Sequence, residues 1–245
     1  MSALIASLSA AGCGKTTPPA TDDRTLAVYA DTSLATPFTT LAATYEKSHP
    51  GRHIVLTFAA ASELADRVGG GAPADIYAGA GTETMTPVLR AGLTATGARE
   101  IARNPLVIAV PDGNPDKLRA PADLGRRGLL TARCAAPSPC AALTDKALAA
   151  AAVTLAKSSL EPSSNAALTR LNLGEVDAAL VYRSYAAAAR DVTIIEFPAA
   201  SRRSTPYSVV WLSRTRHPTE AAAFVDYLTG DKAHTALRAA GFEPG

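Results

Sequence analysis

Aromatic residues are scarce in this chain, at 5% of 245 residues with Trp211 as the single tryptophan. Nucleic-acid binding by stacking needs aromatics interleaved with clustered cations. The basic pairs Arg126-Arg127 and Arg202-Arg203 stand isolated and the formal charge is only +2, which argues against that class. Histidine is equally sparse. His49, His53, His217 and His234 are scattered without metal-ligand spacing and read as surface residues, so no metal is bound directly. No segment after Gly12 is long and apolar enough to span a bilayer. Catalytic signatures are missing as well: there is no G-x-S-x-G elbow, no H-E-x-x-H pair and no glycine-rich dinucleotide fingerprint. Gly14-Lys15-Thr16 mimics the end of a phosphate-binding loop, yet Ser9 stands where its first glycine belongs and no strand precedes it. These absences disfavour an enzyme and call for no cofactor.

The chain is otherwise ordinary for a globular protein, with 47% hydrophobic and 19% charged residues and enough length for one large domain or two small lobes. Its first residues differ. The stretch from Met1 to Gly12 is small and apolar, and Cys13 is followed by a polar, proline-containing segment, so residues 1–24 read as a processing segment and tether. Ala10-Ala11-Gly12-Cys13 resembles the lipobox of bacterial lipoproteins, which implies cleavage before Cys13 and its lipidation; an uncleaved tail is the alternative. Cys134 and Cys140 then remain as an even pair around the proline-containing turn Ala135-Ala136-Pro137-Ser138-Pro139. We expect a disulfide there, against two free thiols or a metal pair that lacks a nearby histidine.

Beyond the tether, strand-like and helix-like runs alternate, the pattern of an α/β fold with largely parallel sheets. Strands are expected at 26–30, 54–58 and 76–78. Helices are expected at 37–47, with Thr36 as cap and Pro37 at its first position, and at 62–68. The proline-bracketed run Asn104-Pro105-Leu106-Val107-Ile108-Ala109-Val110-Pro111 reads as a hinge strand into a second unit, with helices at about 141–152 and 165–173 and a strand at 178–181. The expected organisation is lobe 1 from 25–103 plus 206–245 and lobe 2 from 104–205.

Two stretches place small hydroxyl residues where an apolar strand gives way to a helix: Tyr29-Ala30-Asp31-Thr32-Ser33-Leu34, and Ala59-Ala60-Ala61-Ser62-Glu63-Leu64. A helix start carries N–H groups without intrahelical partners and the positive end of the helix dipole, so a hydroxyl there completes an anion pocket. A lone serine at such a place would read as a helix cap. The repetition points instead to a captured oxyanion.

These loops, together with Gly71-Ala72-Pro73-Ala74-Asp75-Ile76-Tyr77, Gly174-Glu175-Val176-Asp177-Ala178-Ala179-Leu180-Val181-Tyr182 and Ala223-Phe224-Val225-Asp226-Tyr227-Leu228, resemble the molybdate-binding proteins of bacterial ABC importers. That resemblance covers about 25–245. It implies the two-lobed periplasmic-binding-protein fold, a monomer exported and held outside the plasma membrane, a molybdate or tungstate ligand, and an importer permease as partner. Cys134 and Cys140 look like the cysteine pair of actinobacterial members. The implied ligand set is the hydroxyl and N–H of Ser33, the loop at Ala61 and Ser62, a backbone donor at Cys140, a helix-start N–H at Ser164, and the Tyr182 hydroxyl. Two departures stand out. Ala61 occupies the family's second serine position, with Ser62 one place late, and Asp31 replaces a small residue. A carboxylate about 4 Å from a dianion costs several kcal/mol at an effective dielectric of about 20, so Asp31 must point away, be neutralised, or signal another ligand.

Overall fold

The computed structural model describes residues 25–136 and 138–245. Cys13 and its surroundings, and Pro137, lie outside them. The elements run β1 (Thr25–Asp31), α1 (Ala35–Ser48), β2 (His53–Ala59), α2 (Ala61–Gly69), β3 (Ile76–Ala80), α3 (Thr82–Arg90) and β4 (Arg99–Asn104). After Pro105 come β5 (Leu106–Pro111), β6 (Leu130–Cys134), α4 (Pro139–Ala150), β7 (Lys157–Glu161), α5 (Ser164–Asn172), β8 (Ala178–Tyr182), α6 (Arg183–Ala188), β9 (Val192–Ile195) and α7 (Pro198–Ser201). The chain closes with β10 (Thr205–Trp211), α8 (Pro218–Leu228), α9 (Asp231–Ala239) and β11 (Glu243–Pro244).

These strands form a six-stranded sheet, β11-β4-β10-β3-β1-β2, and a five-stranded one, β7-β6-β8-β5-β9. Both sheets are mixed rather than mostly parallel. The parallel pairs, β1 with β2 and β3 and β6 with β7 and β8, all belong to strand-helix-strand units, whose crossover helix returns the chain to the same edge. The pairs made by β4, β5, β9 and β10 are antiparallel, because those strands enter by crossing between sheets or by turning back. The expected hinge strand is therefore split: Asn104 ends β4 in the first sheet and Leu106 begins β5 in the second.

The centre of each sheet is covered on both faces, which explains why β3, β5 and β8 read as unbroken apolar runs. In the first, Val28 and Ile76 pack with Phe38 and Phe224, while the adjacent Tyr29 and Tyr77 pack with Leu64 and Met85 on the opposite face. In the second, Ile108 and Leu180 face Leu143 and Phe197, and Val107 and Val181 face Leu168 and Leu171. The same carboxylate device fixes strand register in both: Asp75 accepts the Ala27 N–H at 2.8 Å, and Asp177 accepts that of Leu130 at 2.8 Å.

Thr36 is not a cap. A 3-10 turn, Thr32–Leu34, begins directly after β1, and Asp31 caps it by accepting the Ser33 N–H. That carboxylate starts helical geometry several residues earlier than the proline position suggests.

Candidate functional site

A cleft of about 930 Å³ opens between the two sheets and is lined from both. Strands reach it at their carboxyl ends: Asp31 closes β1, Ala80 closes β3 and Tyr182 closes β8, while Ala60, Ala136 and Pro162 follow β2, β6 and β7. This is where ligands bind in open α/β sheets. Four helices begin at its wall, α2 at Ala61, α3 at Thr82, α4 at Pro139 and α5 at Ser164. Their first-turn N–H groups and dipole ends create a positive lining without a buried cation.

The helix starts from the second sheet carry neutral caps. Ser138 Oγ accepts the Ala141 N–H at 3.2 Å, and Ser163 Oγ accepts that of Ala166 at 3.1 Å. Of those from the first sheet, α3 has no side-chain cap and α2 is met by one of the chain's own carboxylates. Gly81 precedes α3 at φ 81°, a backbone conformation that favours glycine. At α2 the carboxylate comes from β1: Asp31 Oδ2 accepts the Ala61 N–H at 3.1 Å, while Oδ1 accepts the Ser33 N–H at 3.0 Å and the Ser33 hydroxyl at 2.6 Å. Since the Ser33 proton goes to Asp31, the Tyr207 hydroxyl, 2.8 Å from Ser33 Oγ, donates to Ser33. Asn104, fully buried at the crossing between sheets, contacts Tyr207 at 3.4 Å and donates to Ser184 Oγ at 2.8 Å.

Of the residues expected from sequence, Ala61, Ser62, Cys140, Ser164 and Tyr182 line the cleft and Ser33 lies behind Asp31. Ser62 is exposed, with a hydroxyl that engages no described residue. Cys140 lies in the first turn of α4. The Ser164 side chain turns inward, where its Oγ accepts the Tyr182 N–H at 3.1 Å and ties α5 to β8, leaving its N–H at the helix start. The Tyr182 hydroxyl is 2.9 Å from Thr205 Oγ1.

Sequence reasoning missed Tyr185, which lines the cleft with a hydroxyl that engages no described residue. Its spacing from Tyr182, a strand end followed by a helical turn, was the available signal. It also missed Ser204, 5% exposed, whose buried hydroxyl at the cleft wall has no partner among the described residues. Burial pushes Tyr182 and Tyr185 up to about 12, the Asp31 charge adding to both, so each stays a neutral donor at physiological pH. Folding therefore favours the protonated phenols. Their contribution is complete below the ordinary tyrosine value near 10 and is lost as pH rises toward 12. Melting temperatures should fall across that window in step with tyrosinate absorbance.

Cys134 and Cys140 form a disulfide with Cα atoms 5.9 Å apart, joining the end of β6 to the first turn of α4. Ring closure this short contributes about 2 kcal/mol in the chain-entropy model. Because the bridge holds the start of α4 at the cleft, reduction should weaken ligand binding by a larger factor than that stability loss predicts. Titration calorimetry with and without reductant checks this.

Two α/β halves joined by crossing segments around a cleft of helix starts define a two-lobed solute-binding protein. The chain belongs to the bacterial extracellular solute-binding proteins, whose family model matches residues 26–243. Molybdate-binding protein ModA of Mycobacterium tuberculosis is 35% identical over 246 residues, covering 98% of this chain and 94% of its own length. Among solved structures, the periplasmic molybdate-binding protein of Azotobacter vinelandii superposes with a TM-score of 0.74 at 18% identity, over 90% of this chain and 99% of its own. The sulfate-binding protein SubI of Mycobacterium tuberculosis gives 0.74 at 18% identity, over 90% and 86%. These structural likenesses establish the fold.

Proposed function

We propose that this protein is an extracytoplasmic receptor that captures molybdate or tungstate in its cleft and delivers it, unreacted, to the permease of an ABC importer. The observation that carries this reading is the convergence of the α2, α3, α4 and α5 starts on one cleft. Fixed N–H dipoles and neutral hydroxyls can enclose an oxyanion and release it, where a paired lysine or arginine would hold it too firmly. The name of its 35% identical relative supports molybdate within that class. The lobes, 25–103 plus 206–245 and 104–205, would close about the crossings at Pro105 and Ser204, and their separation when closed would sort molybdate and tungstate from smaller sulfate. Calorimetry against molybdate, tungstate, sulfate and phosphate tests the reading; binding of sulfate or phosphate in preference to both metal oxyanions would overturn it.

A second reading, a receptor for a different small solute, is favoured by Asp31, whose carboxylate lines the cleft. The same calorimetry separates the two, since that receptor gives no heat with any of the four anions.

Among the described residues no helix is long and apolar enough to cross a membrane. We assign membrane attachment to a lipid on Cys13, from the lipobox-like Ala10-Ala11-Gly12-Cys13. Cys13→Ala should move the protein from the membrane fraction to the soluble one on cell fractionation. Unchanged partitioning would refute the anchor.

A further inference from the structure

The Asp31 carboxylate does what a bound oxyanion would do in this half of the cleft. One oxygen takes the N–H and hydroxyl of Ser33, the other takes the N–H that opens α2, and together they bridge two loops 30 residues apart in sequence. A carboxylate is acceptor-only, so it cannot be bridged to a fully ionised oxyanion by a proton of its own. While it holds these donors, a ligand can reach neither Ser33 nor Ala61. Among the described residues no arginine, lysine or histidine pairs with Asp31; the charged groups that share the cleft lining with it are Glu83 on α3, Asp145 and Lys146 on α4, and Arg203 after α7. The other titratable groups around it are neutral phenols, Tyr77 on β3, Tyr182 on β8, Tyr185 on α6 and Tyr207 on β10. Its side chain lines the cavity and is half-buried, so rotation carries it into solvent.

We propose that Asp31 is a tethered internal anion that fills the first half of the site when the receptor is empty and is displaced by the ligand. This rests on the oxyanion reading and adds a selectivity device to it. A tethered group competes at high effective concentration without diffusing away. A singly charged solute such as acetate or nitrate offers the donors no more than Asp31 already does, and is refused. A tetrahedral dianion carries more charge and further oxygens for the starts of α4 and α5, and displaces it. Asp31 thereby trades affinity for exclusion of abundant monoanions.

The test compares the full chain with Asp31→Ala by calorimetry and thermal melting. The variant is expected to bind molybdate at least tenfold more tightly, yet to melt at a lower temperature when empty, because the donors of Ser33 and Ala61 have lost their acceptor. Acetate at millimolar concentration should raise the melting temperature of the variant and compete with molybdate there, while leaving the parent unaffected. A pure capping role for Asp31 would lower stability without tightening molybdate or admitting acetate. Equal or weaker molybdate binding by the folded variant overturns the proposal while leaving the oxyanion reading intact. Should neither protein bind molybdate or tungstate, the reading itself fails and the proposal with it. Asp31→Asn, which keeps the size and one acceptor oxygen, serves if the alanine variant does not fold, and should also tighten molybdate binding.

Discussion

Ser62→Glu is expected to bind molybdate at least a hundredfold more weakly while melting no lower than the parent. Ser62 lies in the first turn of α2, is exposed, lines the cleft and makes no hydrogen bond that the fold would lose. An acidic residue in a helix's first turn is favourable by about 0.3–1 kcal/mol, so stability should hold or rise slightly. Binding responds in the opposite direction. A carboxylate roughly 5–6 Å from the ligand costs about 3 kcal/mol per ligand charge at an effective dielectric of about 20, and a hundredfold loss is about 2.7 kcal/mol. Calorimetry and melting on one preparation decide the matter. Unchanged affinity would mean that the ligand does not approach α2, and would move the site out of the cleft's first half.

The second large effect separates two tyrosines. Tyr182→Phe and Tyr185→Phe should each weaken oxyanion binding by roughly ten- to a hundredfold, the usual consequence of losing a hydrogen bond to a charged acceptor. Their stabilities should differ. Tyr182 is 9% exposed, and removing its hydroxyl strips a partner from Thr205 Oγ1, leaving a buried polar atom at a cost of about 1–3 kcal/mol. The Tyr185 hydroxyl has no described partner to lose, so its variant should melt like the parent. If Tyr182→Phe destabilises without changing affinity while Tyr185→Phe changes affinity alone, Tyr185 is the ligand's donor and Tyr182 is a strut between β8 and β10. Parental affinity in both variants would remove the tyrosines from the site.

Much of this was legible because it is local. The strand-to-helix transitions at Asp31–Leu34 and Ala59–Ser62 announce helix starts through residue type alone, and the cysteine pair lies only six residues apart. The positions of helix starts near Cys140 and Ser164 could be read to within a residue or two, although the capping serines are Ser138 and Ser163. Strand direction was less legible. Apolar runs such as Leu106–Pro111 look the same whether a neighbour is parallel or antiparallel, because both faces are buried either way.

The sequence by itself determined where helices begin and which central strands are buried on both faces. Each follows from interactions within a few residues: a side chain capping a turn, a period of apolar positions, a glycine free to take positive φ. Tertiary structure alone decided which way the donors face. Asp31 could have turned toward solvent, but the parallel pairing of β1 with β2 brings the start of α2 beside it, and two converging loops of unpaired N–H groups draw in the nearest carboxylate. Tyr182 is likewise held by Thr205, 23 residues away, and Tyr185 is left free by a packing no local pattern encodes. A hydrogen bond across tens of residues depends on how sheets assemble, and the strand and helix signals that specify the sheets are silent about which donor meets which acceptor at their edges.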